Sequence, residues 1–429
     1  RDTVPFGTQL DVYAPGYEWL NHSMAPKVIK HMNMRVTIGG PRCLKPYSAS
    51  LLNIGAMSFG ALSDRAVLSL NGGAKDAHFA HNTGEGSISP YHLQNGGDLV
   101  WQIGTGYFGC RNLDGTFNAE LFSHKATLDS VKMIEIKLSQ GAKPGHGGIL
   151  PANKVTKEIA AIRHAPLGQD LLSPPRHSAF STPIEFMHFI QNLRDLSGGK
   201  PVGFKLCLGK RREFLALCKA MLETGIYPDF ITVDGGEGGT GAAPLEFSNY
   251  IGSPLVESVI FIHNSLVGFN LRPHIKIIAT GKVISAFALI KRLAIGADLC
   301  YSARGMLLAL GCIQALRCNS NECPTGITTH DRQLVKGLNV IDKRNRVANF
   351  HRQTMHTVAE LIGAMGLDDT TQLKPWHLMR RINQTEILHY GEIYEYIKPG
   401  SLLTNEPPKS FKRALAAASA HSFDSETSE

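Results

Sequence analysis

The chain has no apolar run approaching the roughly 18 residues that span a bilayer, and no signal peptide opens it. A membrane-spanning helix within these 429 residues is therefore excluded. Positive charge is not massed either: the net charge is +8, but Lys and Arg are spread along the chain, which argues against nucleic-acid binding. The histidines, His78, His81 and His146 among them, show no HxxxH or HxH spacing and read as ordinary core or surface residues. Cysteine is scarce, with eight in all, and Cys43, Cys110, Cys207, Cys218 and Cys300 have no regular spacing. That excludes a disulfide framework and points to a reduced, cytoplasmic protein. Because Arg1 is not Met, a membrane anchor upstream of it stays open.

The remaining three cysteines are concentrated. Cys312, Cys318 and Cys323 fall within GCIQALRCNSNECPTG at 311–326, and no helix or strand period spaces thiols this way for packing. A loop with Asn and Gly turn formers suits a polynuclear metal site in which each sulfur binds a different iron. Three buried core cysteines and a structural zinc are the alternatives.

Residues 1–50 are rich in Pro, Gly and Tyr and read as an extension wrapped over a larger body. From there short apolar runs recur, each ending in glycine or a polar residue, starting at Leu51, His78, Leu99, Met133, Pro201, Asp229, Ile275 and Ala297. Helical spacing appears between several, as in Phe214, Leu217, Cys218 and Met221, or Val283, Ala286, Phe287 and Ile290. Thr182, Pro183 and Glu185 form a helix start. Strands alternating with helices and buried on both faces indicate a parallel sheet, and eight of them an α/β protein of the (β/α)8 TIM-barrel class. An open doubly wound sheet is the runner-up. The segment 140–200 is an insertion between the fourth and fifth strands. The expected units are 1–50, a barrel with its cysteine loop over 51–330, and a helical region and tail over 331–429, with a helix near 344–365 and a loosely held end beyond Thr404.

In such a barrel, function collects on the loops after the strands. After the sixth strand Asp234, Gly235, Gly236, Gly238, Gly239 and Thr240 form a glycine-rich loop that lets a ligand approach the backbone. The seventh and eighth strands end in Gly281 and in Arg304-Gly305, where barrels of this kind bind phosphate. Lys205 alternates with Phe204 and Leu206, so an inward-facing ammonium needs an anion: a reduced flavin, or an ion pair with Glu85 or Asp234. Glu85 sits in the loop after the second strand and Gln102 ends the third; either can hydrogen-bond flavin or substrate.

These residues resemble the flavin-binding synthase domain of glutamate synthase and its stand-alone relatives. The likeness rests on GAMSFGALS at 55–63, NTGEG at 82–86, QGAKPGHGG at 140–148, LLSPP at 171–175, VDGGEGGTGAAP at 233–244 and the cysteine loop. It implies an FMN-binding barrel in which Cys312, Cys318 and Cys323 hold a 3Fe-4S cluster. Met57, Ser58, Gln102, Lys205, the 235–239 loop, Gly281 and Arg304 would then line the FMN site, and Glu85 would orient substrate or handle a proton. The implied reaction reduces 2-iminoglutarate, formed from 2-oxoglutarate and ammonia, with electrons from ferredoxin or a partner reductase subunit. A homo-oligomer stays open.

The chain departs from the full enzymes in several places. Neither their glutaminase domain nor their β-helix has a counterpart here, His146 stands where they usually carry glutamate, and LGKRREF follows the fifth strand. Lys210, Arg211 and Arg212 in that run could meet a carboxylate substrate, although a solvated helix start fits them better. The opening RDTVPFGTQLDVY resembles compact relatives with membrane helices upstream. The alternative function is an electron-transfer flavoprotein subunit, membrane-associated or not, without a small substrate of its own.

Overall fold

The computed structural model describes residues 7–241 and 243–424. Eight strands close into one parallel barrel. They are β1 (Leu52–Ile54), β2 (His81–Asn82), β3 (Leu99–Ile103), β4 (Val131–Lys137), β5 (Val202–Leu206), β6 (Phe230–Asp234), β7 (Lys276–Thr280) and β8 (Leu299–Ser302). Each pairs with its neighbour in sequence, and β8 returns to β1 with Tyr301 opposite Asn53. The chain is therefore a (β/α)8 barrel, and closure rules out the open sheet. The weakest strand, β2, is short because it needs only His81 to bridge Ile54 on one side and Leu99 on the other.

Helices form where the apolar spacing places them. In Arg211–Thr224, the side chains of Phe214, Leu217, Cys218 and Met221 are all buried. In Pro183–Leu196, the Thr182 hydroxyl accepts from the Glu185 N–H while the Glu185 carboxylate accepts from the Thr182 N–H, so two otherwise orphaned donors are satisfied. Helix Val340–Ala364 lies against Asp64–Asp76, where Arg344 clasps Asp76 through two nitrogens, each 2.6 Å from a carboxylate oxygen.

One end of the barrel is shut. The hairpin Arg35–Ile38 and Tyr47–Ser50 places Ile38, Tyr47 and Ala49 against Val100, Met133, Phe230, Ile278 and Leu299, the lowest inward-facing side chains. Chemistry is thereby confined to the opposite mouth, where the strands end.

Beyond Thr404 the described residues, to 424, differ from the expectation of a loose tail, and 425–429 lie outside the described residues. Lys409–Ala417 is a helix with Phe411 and Ala414 buried, and Ala418 and Ala420 beyond it are buried too. Phe411 stacks on Phe261 at 5.2 Å, and Lys219 donates to the carbonyls of Leu415 and Ala418. Alanine at helical spacing carries little hydropathy signal, yet its small side chain allows close packing. Among the described residues no helix is long and apolar enough to cross a membrane.

Candidate active site at the barrel mouth

Period-two alternation stacks the inward side chains of each strand in layers. Above the apolar floor lies a polar layer centred on Glu135, which is fully buried. Its Oε1 accepts from Asn82 at 2.8 Å and Gln102 at 2.7 Å, and its Oε2 accepts from the Thr232 hydroxyl at 2.5 Å. Thr232 reaches across β5 because Gly203 is the residue paired with Glu135 there and has no side chain in the way. A Cβ on Gly203 would stand 2.3 Å from the Phe230 carbonyl oxygen.

The uppermost layer carries two lysines side by side, Lys137 and Lys205, which pair in register between β4 and β5. Each has its own carboxylate: Lys137 donates to Glu85 Oε1 at 2.9 Å, and Lys205 stands 3.0 Å from Asp234 Oδ2. Burial works against the Lys205 charge, but Asp234 and Glu135 outweigh it and hold its pKa above the ordinary lysine value. Burial would likewise raise Glu85, yet Lys137, Arg163 and Lys143 hold it below the usual carboxylate range. Glu85 is thus an anion at neutral pH and takes protons rather than giving them.

These groups surround a cavity of about 160 Å³. Ser58, Glu85, Gln102, Lys205 and Thr240 all line it, so five residues singled out in the sequence meet in one place. Met57 is buried outside the lining; its carbonyl interacts with the His92 ring at 3.1 Å. Asp234, the last residue of β6, is outside the lining, ion-paired with Lys205 and accepting from the Gly141 N–H at 3.1 Å. Lys210 caps helix Arg211–Thr224, Arg211 lies 5.0 Å over the Phe261 ring, and Arg212 donates to the Phe423 carbonyl. None of the three lines the mouth cavity; Lys210 and Arg211 are exposed at the helix start, whereas Arg212 is buried rather than solvated.

Of the cations of this cavity, sequence reasoning found Lys205 and passed over three. Lys137, Lys143 and Arg163 line it together. Arg163 comes from helix Lys157–Arg163 of the insertion, lies 5.3 Å over the Phe108 ring and donates to the Phe59 carbonyl. Burial pushes it down to about 10, still cationic at neutral pH. Lys143 donates to the Gly147 carbonyl at 2.9 Å. His146, set aside as ordinary, shares a side pocket with Glu85 and Lys137. His177, from LLSPPRHS, is driven by burial to about 4 and is therefore neutral; its Nε2 lies 2.9 Å from the Lys137 carbonyl, bracing the end of β4.

The glycine loop lies beside this cavity. Gly235 donates to Thr280, and the N–H groups of Gly239, Thr240 and Gly281 donate to no protein acceptor among the described residues. The Arg304 guanidinium would be 2.9 Å from a Cβ on Gly239, so a cation and free amides face one spot. Gly305 follows, buried. This is the donor set a phosphate requires.

Arg304 also lines a neighbouring cavity of about 90 Å³, together with Cys312, Cys318 and Cys323. Burial raises the Cys323 thiol, but hydrogen bonds from Thr325 and Thr328 bring it down to about 7. Among the described residues no three His, Cys, Asp or Glu side chains are grouped tightly enough to hold one metal ion. A cluster whose three irons each take a different sulfur requires wider spacing than a single ion does. The loop is held in an uncommon backbone: Gln314, Leu316 and Asn321 have φ of 57°, 57° and 67°. Gly241 joins the two sites, since a Cβ there would stand 2.7 Å from Cys318 Cβ.

A family model described as a conserved region in glutamate synthase matches residues 33–368. A glutamate synthase large subunit-like protein, YerD, of Bacillus subtilis (strain 168) is 39% identical over 381 residues, covering 88% of this chain and 72% of that relative. The archaeal glutamate synthase [NADPH] of Methanocaldococcus jannaschii is 32% identical over 360 residues, covering 83% of this chain and 66% of the relative. The chain thus spans about two thirds to three quarters of these relatives. Among solved structures, a flavocytochrome b2 variant with sulfite bound superposes with a TM-score of 0.53 at 12% identity, covering 91% of this chain and 83% of the other, a likeness of fold.

Proposed function

Because the chain belongs to the family defined by the conserved glutamate synthase region, we propose that it is an FMN and iron–sulfur oxidoreductase that reduces an imine such as 2-iminoglutarate. The observation that carries this reading is the convergence of Ser58, Gln102, Lys205 and Thr240 with Glu85, Lys137, Lys143 and Arg163 on one cavity beside the glycine loop.

FMN, when bound, supplies a hydride donor that also accepts electrons one at a time. Gly239, Thr240, Gly281, Arg304 and Gly305 would hold its phosphate, and Ser58, Gln102 and Lys205 its ring. Glu135 fixes the Gln102 amide by accepting from its Nε2, which leaves the Gln102 carbonyl oxygen for a ring N–H. Lys205, kept cationic by Asp234, favours negative charge on the ring beside it. Lys143 and Arg163 give the cavity an excess of positive charge suited to the carboxylates of a 2-oxo acid. Phe108, Leu150 and Leu171 limit water access. Glu85 accepts or orients a proton at the carboxylate oxygen that Lys137 does not occupy.

Cys312, Cys318 and Cys323 would hold a 3Fe-4S cluster. The shared cavity, the lowered Cys323 thiol and the Gly241–Cys318 contact support it as the electron entrance from ferredoxin or a reductase subunit.

Purified protein is expected to be yellow-brown, to release FMN on denaturation and to carry about three irons per chain. With a chemical reductant, 2-oxoglutarate and ammonia it should form glutamate and reoxidise its flavin. A folded but colourless, iron-free protein would sink the reading, whereas flavin and iron without turnover on any 2-oxo acid and amine would favour a pure electron carrier. Cys318→Ser should abolish most of the iron while FMN content and the barrel's circular dichroism stay unchanged, because Cys318 is on the loop and outside the strands.

A further inference from the structure

A second cavity lies at the end of the barrel away from this mouth. Its volume is about 670 Å³, within the range of about 300–1,000 Å³ of small-molecule pockets. Lys276 at the start of β7 and Asp298 just before β8 form its floor. The segment from Asp369 to Trp376 covers it from the other side, with Tyr396 beside His263 at 6.1 Å between ring centroids.

The lining is both aromatic and cationic. Trp376 lines it and is 55% exposed, so its indole face is open to a stacking partner. Four cations line the cavity, Arg35, Arg272, Lys276 and Lys374, against two carboxylates, Asp298 and Asp369. Asp298 is already engaged by Arg272 at 2.7 Å and by the Ile277 N–H at 2.7 Å, while Lys276 stands 3.9 Å away from it. Asp369 accepts from the Thr371 N–H of its own turn. Arg35 is bound to the His78 and Ser48 carbonyls. That leaves Lys374, exposed and without an ion-pair partner among the described residues, and Lys276 only loosely held. His263 is neutral, lowered to about 4 by burial and by Arg272, so it can border a ring without adding charge.

We propose that this cavity is a second ligand site, taking a planar aromatic anion of mononucleotide size with its ring on Trp376 and its anionic group at Lys374 and Lys276. Stacking on an exposed indole and pairing with a free ammonium are each sequence-local, and together they select for both parts of such a molecule. The ligand would bridge the barrel floor and the 369–376 segment, so its binding stabilises the docked state.

Isothermal titration of the protein carrying its cofactors tests this with four probes: AMP, indole-3-acetate, adenosine and inorganic phosphate. AMP or indole-3-acetate should bind at one site, with adenosine and phosphate each at least about tenfold weaker. Whichever of the first two binds tighter identifies phosphate or carboxylate as the anion. Trp376→Ala and Lys374→Glu, both at exposed positions, should each weaken binding by about tenfold or more while flavin content and melting temperature without ligand stay as in the parent. Three results would overturn the proposal. Neither aromatic anion binds, phosphate alone binds as tightly as AMP, or affinity is unchanged in both variants because the probe occupies the flavin mouth.

Discussion

Arg194→Met is expected to destabilise the fold by about 3–5 kcal/mol, the usual cost of leaving one partner of a buried ion pair uncompensated. Both side chains are 1% exposed. Arg194 donates to Asp229 Oδ2 through Nε at 3.2 Å and Nη2 at 2.9 Å, and to the Tyr227 carbonyl at 2.6 Å. Asp229 in turn accepts from Gly40 at 2.6 Å and Val202 at 2.8 Å, so one carboxylate ties the N-terminal extension, helix Pro183–Leu196 and the start of β5 to the barrel's closed end. The methionine variant keeps the volume but leaves Asp229 charged and buried. The measurement is the denaturation midpoint, with activity per folded molecule as the control. Because the pair is far from the mouth, activity should be unchanged where the protein is still folded. Adding Asp229→Asn should recover part of the loss, since the stranded charge then disappears. A double variant no better than Arg194→Met would mean that packing and hydrogen bonds, rather than charge, dominate there.

The barrel was legible because its strands are buried on both faces and therefore read as apolar runs between glycine-punctuated loops. Even His81–Asn82, too short to carry a period, could be placed from its flanks. The same strands also contained a signal that went unread. Met133, Glu135 and Lys137 alternate along one face of β4, and the last two are the polar centre and the upper cation of the site. A carboxylate and an ammonium at period two within a buried strand point inward together and need partners there. What no local pattern could supply is Arg163. It reaches the cavity from a helix in the insertion and donates to Phe59 more than a hundred positions earlier in the chain, so only the closed fold brings it to Glu85. The ion pair weighed as the bland explanation of Lys205 is present, with Asp234, and the same ammonium still lines the cavity. An ion pair at one side of a buried ammonium does not close it to a ligand at another.

Glu85→Gln is expected to lower kcat by about 10²–10⁴-fold, the usual contribution of a placed acid or base. The substitution preserves shape and removes charge. In the parent, burial opposes ionisation, but Lys137, Arg163 and Lys143 prevail and hold the carboxyl below its ordinary range. The carboxylate is therefore present throughout the neutral range, and activity that depends on it is lost only as pH falls through that depressed value. The acid limb of the parent's rate profile should accordingly lie below the usual carboxylate pKa, and in Glu85→Gln that limb should vanish along with most of the rate. FMN content should not change, because among the described residues Glu85 bonds Lys137 and makes no hydrogen bond or ion pair to the glycine loop or Arg304. KM for the 2-oxo acid should move less than kcat, since Lys143 and Arg163 remain to meet its carboxylates. Lys137→Met separates the two roles open to Glu85. It removes the one side chain that hydrogen-bonds the carboxylate among the described residues, so Glu85 loses its fixed orientation and its pKa rises, with Arg163 and Lys143 still opposing burial. A proton-handling Glu85 predicts that the acid limb shifts upward in Lys137→Met with part of the rate retained. If Glu85 only orients substrate, the rate falls at every pH without a displaced limb. A Glu85→Gln enzyme with the parent's kcat and the parent's acid limb would remove Glu85 from the chemistry altogether.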